Sequence, residues 1–165
     1  MIFVTVGTHE QPFNRLILNV DEWKRDGIIK EDVIMQIGYS TYKPKYCRWN
    51  SFFSHQEMMR QVSEARIVVT HGGPASFIMP LQIGKIPIVL PREKKYGEHV
   101  NDHQVYFVKE VSKRYHNILV ANDTKELKKM IVEYNDFNAD ISGDNTSNQE
   151  VFNYKFAQIV RELMN

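Results

Sequence analysis

The chain has 165 residues, of which 42% are hydrophobic and 25% are charged, and its formal net charge is +1. This length suffices for one domain with a core of its own, so we expect a single domain over residues 1–165. The nearly balanced charge gives no sign of a basic nucleic-acid surface, and no run in the sequence reaches the roughly 18 apolar residues of a membrane span.

Short apolar runs alternate with helical patterns along the chain. Six runs predict strands, at residues 1–6, 32–37, 46–53, 66–70, 86–90 and 117–121. Apolar residues at helical spacing predict helices from residue 12, after Ser54, over 75–83, over 101–113, from Asp123 or Thr124 to about 134, and over 149–164. The first run, MIFVTVGT, has no positively charged leader, so we interpret it as a strand and not as a signal peptide.

Local signals mark several of these boundaries. Ser54 with Glu57 three residues later forms the pattern of a capping box, and Gly84 follows a helical pattern as a C-terminal cap. The central strands are uniformly apolar, which is typical of strands buried on both faces. The sequence therefore predicts an α/β fold, with a Rossmann-like, mostly parallel sheet and helices on both faces.

The end of the chain has a different character. Residues 135–148 are polar and interrupted by glycine, which predicts a mobile segment. The helix predicted after it, about 149–165, carries an apolar stripe made of Phe152, Phe156, Ile159 and Leu163. Such a stripe either packs on the core of its own domain or docks on a partner subunit.

Cys47 is the single cysteine of the chain. One thiol cannot form an internal disulfide, which favours a reducing compartment. A nucleophilic role is open in principle, but the neighbours of Cys47 form an extended run, so we expect a buried structural thiol.

Three polar loops follow predicted strands: GTHEQP at residues 7–12, HGGPAS at 71–76 and REKKYGEHVNDHQ at 92–104. Ligands of open α/β sheets bind where the strands end, at their carboxyl termini. These three loops therefore hold the candidate site.

HGGPAS has the composition of a turn that can bind an anion. Gly72 and Gly73 allow the backbone to approach a ligand, and Pro74 suits the first helical position. The N–H groups of Ala75 and Ser76 would then be free at the helix N-terminus, where the dipole favours negative charge. The alternative is a tight turn that needs glycine for its geometry alone.

The two other loops offer polar side chains. In GTHEQP, Gly7 permits close approach, Thr8 offers a hydroxyl, and His9 is a base, a phosphate donor or a solvated residue. The third loop, which begins at Arg92, is either a solvated charged loop or a sugar site built from Asn101, Asp102, His103 and Gln104. We expect no metal, because His99 and His103 are the single histidine pair at the spacing of four among His9, His71, His99 and His103.

Three segments together carry a resemblance: VTVGTHEQPFNRLI, HGGPASFIMPLQIGKIPIVLPR and GEHVNDHQ. They resemble the nucleotide-sugar-binding half of family 28 glycosyltransferases, from residue 1 to about 120. The likeness is strongest to small subunits of bacterial exopolysaccharide and capsule synthesis described as β-1,4-galactosyltransferases. These are similar to the catalytic subunit of the two-part GlcNAc transferase of N-glycan assembly.

The resemblance implies one half of a GT-B enzyme. The other half would be a membrane-anchored subunit that binds a lipid-linked saccharide acceptor, so this chain would be cytoplasmic and held at the inner face of the plasma membrane by its partner. It implies transfer of a hexose, galactose first, from a UDP-sugar with inversion, and no cofactor or metal. The alternatives are a GlcNAc or glucose transferase of the same architecture, a non-catalytic nucleotide-binding module that activates a partner, or an epimerase-like enzyme acting on the UDP-sugar.

Roles for individual residues follow from the resemblance. The diphosphate would contact a set of backbone-rich positions made of Gly7, Thr8, Gly72, Gly73, Pro74, Ala75 and Ser76. Phe53 and Ser54 would lie beside the uracil. His103, Gln104 and Asp102 would bind the donor sugar, with His71 and Arg92 elsewhere on the ligand loops. His9 is the local candidate for the base, which the partner would otherwise supply. Relatives often hold the ribose with a glutamate where this chain has Met79.

Overall fold

The computed structural model describes residues 1–144 of the chain. Within them, six strands form one sheet, with β1 at Ile2–Thr5, β2 at Val33–Gln36, β3 at Arg48–Asn50, β4 at Ile67–Thr70, β5 at Ile88–Val89 and β6 at Leu119–Val120. All neighbouring strands are parallel and their order is β3-β2-β1-β4-β5-β6. The predicted parallel α/β sheet is confirmed.

In the described part of the chain, six helices connect or cover these strands. They are α1 at Asn14–Arg25, α2 at His55–Glu64, α3 at Pro74–Gln82, α4 at His103–Tyr115, α5 at Thr124–Val132 and α6 at Tyr134–Asp144. A 3-10 turn, Lys94–Tyr96, lies in the loop after β5. Each strand is shorter than the apolar run that predicts it.

Alternate residues of the strands pack against opposite helical layers. Ile2 and Val4 of β1 lie in the core formed with α1 and α5, whereas Phe3 lies in the cluster that includes Val62 of α2. A third cluster joins Phe77 of α3 to α4. Helices therefore cover both faces, as the continuous apolar strands predict.

The helix boundaries follow the capping signals of the sequence. The Ser54 Oγ accepts the N–H of Glu57 at 3.2 Å and caps the N-terminus of α2. Gly84 follows the end of α3 with φ of 75°, in the left-handed region that glycine adopts without strain.

The prediction of a mobile segment over residues 135–148 is wrong for its first part, because α6 extends to Asp144. Phe137 and Ile141, one helical turn apart, pack against the core, and the Tyr134 hydroxyl donates to the Ile86 carbonyl at 2.7 Å. These contacts fix a segment whose composition is polar. The helix predicted over 149–164 lies outside the described residues.

The Cys47 thiol is buried, as expected for a structural cysteine. Burial, with the adjacent Asp21 carboxylate, raises the pKa of Cys47 to about 12. At neutral pH the sulfur is therefore a protonated thiol and a poor nucleophile.

Candidate functional site

A cavity of about 570 Å³ opens at the carboxyl ends of the strands. It lies where the loops after β1 and β4 meet, and these adjacent strands mark the point at which the strand order reverses direction. Predicted residues that line it are Gly7, Thr8, His9, Phe53, His71, Gly73, Pro74, Ala75, Ser76, Met79 and Gln104. The general rule for open α/β sheets places ligands at this position.

Two glycines of the cavity make room for a side chain of the protein itself. A Cβ built on Gly7 or on Gly73 would overlap the imidazole of His71, which lies between the two loops. Gly7 also has φ of 70°, whereas Gly73 has the ordinary φ of −78°. The contact with the His71 ring is therefore sufficient to explain why residue 73 is a glycine, without a ligand.

His71 is buried, with 7% of its surface exposed, and both ring nitrogens have partners. Its Nδ1 accepts the N–H of Gly73 at 3.0 Å, and its Nε2 lies 2.9 Å from the Ser76 Oγ. Burial, with the nearby charge of Arg92, lowers the pKa of His71 to about 3, so the ring is neutral. Because a backbone N–H occupies Nδ1, the single ring proton belongs on Nε2.

Several amides that the sequence offers for an anion are already committed. Gly72 donates to the Gln104 Oε1 at 3.0 Å, and Gly73 donates to His71. The expectation that the Ser76 amide is free is wrong, since it donates to the Gly73 carbonyl at 3.1 Å. Ala75 keeps an N–H in the first turn of α3, where no earlier helical carbonyl can reach it. Within this loop, the donors left for an anion are the Ala75 amide and the Ser76 hydroxyl.

The loop after β1 adds polar groups on the opposite wall. Thr8 is exposed and lines the cavity, whereas the Gly7 amide donates back to the Thr5 Oγ1 at 3.2 Å. The His9 Nε2 lies 2.9 Å from the Gln11 Oε1, and its ring stacks on His99 with centroids 4.7 Å apart. In the neutral ring that donates from Nε2 to Gln11, the Nδ1 of His9 carries the lone pair.

Arg92 is buried behind the cavity and does not line it. Its guanidinium donates to the carbonyls of Val6 at 2.8 Å, Gln11 at 2.7 Å and Glu98 at 3.1 Å. Burial lowers the pKa of Arg92 to about 10, so it remains a cation at neutral pH. Arg92 thus joins the loops after β1 and β5 and places a positive charge beneath them.

The side of the cavity near β2 and β3 is largely apolar. Phe53, Met58 and Met79 line it together with Gln36, whose Oε1 accepts the Phe53 N–H at 3.0 Å. Ser54 caps α2 and is not among the lining residues. This wall suits the flat face of a nucleobase better than a charged group.

The three residues predicted to bind a donor sugar do not line the cavity together. Gln104 is buried and lines the cavity, and its oxygen accepts the amides of Gly72 and Arg92. His103 is exposed and stacks on Phe107 with centroids 5.8 Å apart. Asp102 accepts the Lys94 amide at 2.8 Å. Neither His103 nor Asp102 lines the cavity.

The sequence analysis missed five lining residues: Thr5, Glu10, Gln36, His55 and Met58. A signal for Gln36 exists, because it is the polar last residue of an otherwise apolar strand and therefore lies at the carboxyl edge. Glu10 belongs to a loop that the analysis singled out, but its exposed carboxylate has no distinguishing pattern.

Among residues 1–144, no three histidine, cysteine or acidic side chains group closely enough to hold a metal ion. None of the helices in the same range combines the length and hydrophobicity that a membrane crossing requires.

Comparison with known proteins gives one family and several relatives. The sequence model of the glycosyltransferase family 28 C-terminal domain matches residues 1–162. The chain is 27% identical over 121 residues to the UDP-N-acetylglucosamine transferase subunit ALG13 of Mus musculus, which covers 69% of this chain and 10% of that protein. It is 27% identical over 107 residues to the subunit of the same name from Yarrowia lipolytica, with 55% and 52% covered.

The chain therefore spans about half the length of the Yarrowia relative and a tenth of the mouse relative. Among solved structures, it is similar to the crystal structure of the glycosyltransferase SnogD from Streptomyces nogalater, with a TM-score of 0.50 and 12% identity. That superposition covers 96% of this chain and 43% of SnogD. At this identity the likeness concerns the fold, which is that of a domain within a GT-B glycosyltransferase.

Proposed function

The chain belongs to the glycosyltransferase family 28 C-terminal domain family, and from this premise we propose that it binds the UDP-sugar in a split, inverting hexosyltransferase. The observation that carries the proposal is the cavity between the loops after β1 and β4, which is lined by Thr8, Ala75 and Ser76. A nucleoside diphosphate needs such donors, and the N-terminus of α3 adds a favourable dipole.

The proposed reaction is a single displacement at the anomeric carbon. An acceptor hydroxyl oxygen forms the new glycosidic bond as the bond to the UDP oxygen breaks, and UDP leaves with the electron pair. Thr8, Ala75 and Ser76 would stabilise the charge that develops on the departing diphosphate. The buried Arg92 cation behind the loops contributes to the same positive potential.

A base must accept the proton of the attacking hydroxyl. His9 is the candidate within this chain, because it lines the cavity and its Nδ1 keeps a lone pair when Nε2 donates to Gln11. The other possibility is a base on the partner subunit.

We propose that this partner is a membrane-anchored subunit that binds a lipid-linked saccharide and holds the chain at the inner face of the plasma membrane. The relatives are named as transferase subunits, which supports a split enzyme. Galactose transfer in exopolysaccharide or capsule synthesis is the activity proposed first. UDP-GlcNAc is the second candidate donor, because both named relatives are UDP-N-acetylglucosamine transferase subunits.

Calorimetric titration of the purified chain tests the binding half of the proposal. UDP should bind, ADP should bind more weakly, and one of UDP-galactose, UDP-glucose and UDP-GlcNAc should bind more tightly than the others. Transfer of radiolabelled sugar to a membrane fraction, with and without a co-expressed partner, then tests the reaction. Failure of all four uridine nucleotides to bind at millimolar concentration would overturn the proposal.

A further inference from the structure

His71 and Ser76 form a hydrogen-bonded pair that lines the cavity. Ser76 occupies the first turn of α3, and its Oγ lies 2.9 Å from the Nε2 of the buried imidazole. His71 lies between Gly7 and Gly73, either of which would overlap the ring if it carried a Cβ. The ring therefore has little freedom to turn away from Ser76.

The backbone amide of Gly73 determines which ring nitrogen of His71 carries the proton. The Gly73 N–H points at Nδ1 over 3.0 Å and can only donate, so Nδ1 must present a lone pair. A proton on Nδ1, in the other neutral tautomer or in the imidazolium, would set two donors against each other. The remaining proton is on Nε2, which therefore donates to the Ser76 Oγ.

The direction of the Ser76 hydroxyl proton follows. Its oxygen accepts from His71, so its own proton must point to another acceptor. Ser76 Oγ has no second hydrogen-bond partner among residues 1–144, and Ser76 lines the cavity. A serine in a first helical turn can otherwise donate to a preceding carbonyl or rotate freely.

We propose that His71 is a positioning residue, whose Nε2–H holds a lone pair of the Ser76 oxygen and so aims the Ser76 hydroxyl proton at an anion in the cavity. Burial and the charge of Arg92 keep the ring neutral, which preserves the single-proton arrangement. The inference deepens the proposed function, because a UDP phosphate is the anion expected there. His71 itself makes no contact with the ligand in this role.

Nuclear magnetic resonance tests the tautomer without any ligand. In the full chain labelled with 15N and 13C at its 6 histidines, His71 should show the Nε2–H tautomer. Its shifts should stay constant where an ordinary histidine titrates, about pH 5 to 8. Assignment through the bonded backbone requires no variant. A His71 that carries its proton on Nδ1, or that titrates in this range, would overturn the inference.

A double-mutant cycle with UDP affinity as the readout tests the coupling. Ser76→Ala should weaken UDP binding about tenfold, since it removes a hydrogen bond to a charged group. His71→Asn keeps an acceptor for Gly73 and loses the donor to Ser76, so it should weaken binding several-fold. In the Ser76→Ala background, His71→Asn should have no further effect. His71→Gln, whose amide reaches toward the Nε2 position, should recover part of the affinity.

The outcomes separate this inference from the proposed function. If the wild type binds UDP and His71→Asn weakens binding equally in both backgrounds, His71 is only structural and the inference fails. If the wild type does not bind UDP, the proposed function fails, and the tautomer measured in the free chain still decides whether His71 directs the hydroxyl.

Discussion

Two buried polar side chains organise two different regions of the molecule. In α1, Asp21 accepts three backbone amides of residues 45–47 and the hydroxyl of Tyr42, at 2.8 to 3.0 Å. After β4, His71 accepts one backbone amide and is paired through its other nitrogen with Ser76. The Asp21 cluster is fully satisfied and lies apart from the cavity, whereas the His71 cluster ends in a hydroxyl that lines it.

The difference separates a stabilising network from the proposed binding network. A buried carboxylate with four donors holds its loop and has nothing left to offer a ligand. The neutral His71 imidazole holds its loop through the Gly73 amide. The Ser76 hydroxyl proton is then left without an acceptor among residues 1–144. Changes in the Asp21 cluster should therefore alter stability without altering UDP affinity, and Ser76→Ala should do the reverse.

Asp21→Asn should have the largest effect on stability. The amide nitrogen of asparagine would face backbone donors, so the free energy of unfolding should fall by about 4 kcal/mol. Asp26→Asn is the matched control, because that carboxylate is exposed and should change stability little. Urea unfolding measures both variants. Equal losses of unfolding free energy in Asp21→Asn and Asp26→Asn would contradict the stabilising role of the Asp21 cluster. A large loss of UDP affinity in folded Asp21→Asn protein would contradict its separation from the cavity.

Gly7→Ala should have the next largest effect on stability, and it acts on the His71 cluster. Gly7 and Gly27 share φ of 70°, but a Cβ on Gly7 meets the His71 ring, while one on Gly27 meets open space. Backbone strain alone should lower the free energy of unfolding of Gly27→Ala by about 1 kcal/mol. Overlap with the ring should bring the loss in Gly7→Ala to about 3 kcal/mol. Similar losses in urea unfolding would show that His71 does not fill this space.

The pH dependence of stability sharpens the account of Asp21. Burial alone would raise the pKa of Asp21, but its hydrogen bonds outweigh burial and hold the pKa below the usual value. Its folded-state pKa is thus lower than its unfolded-state pKa. The carboxylate therefore stabilises the fold above the unfolded pKa, and this stabilisation is lost as pH falls through the folded pKa.

The stability difference between wild type and Asp21→Asn should consequently be constant near neutral pH and should shrink below about pH 4. Urea unfolding of both proteins across the acidic range measures it. A difference that grows on acidification would contradict the assignment.

The smallest expected effect concerns Cys47, whose amide belongs to the Asp21 cluster. Because burial raises the pKa of this thiol to about 12, iodoacetamide at pH near 8 should alkylate the native protein far more slowly than the urea-unfolded chain. Cys47→Ala should leave UDP affinity unchanged. Rapid alkylation of the native protein, or loss of UDP binding in this variant, would place Cys47 in the functional region instead.

Much of the fold is predictable from the sequence because the periodicities are strong. The apolar runs around residues 2–5, 33–36 and 67–70 give the central strands, and Ser54 with Glu57 gives the start of α2. Composition misleads in residues 135–144, where the two apolar side chains Phe137 and Ile141 outweigh polar neighbours through tertiary contacts.

The candidate site is predictable in place but not in mechanism. Glycine-rich turns after two strands identify the loops, because local rules govern turn composition. The reason for Gly73 lies in its contact with His71, and the amide of Gly72 is occupied by Gln104, 32 positions away. Neither contact follows from local sequence. The sequence therefore predicts more free amides than the structure has, and it does not indicate that the Ser76 hydroxyl is an available donor.

A crystal structure of the chain with bound UDP tests the central claim most directly. The account predicts both phosphorus atoms between the loops after β1 and β4, with phosphate oxygens within hydrogen-bond distance of the Ala75 amide and the Ser76 hydroxyl, and with the His71 ring unmoved. A diphosphate bound away from these loops would contradict it.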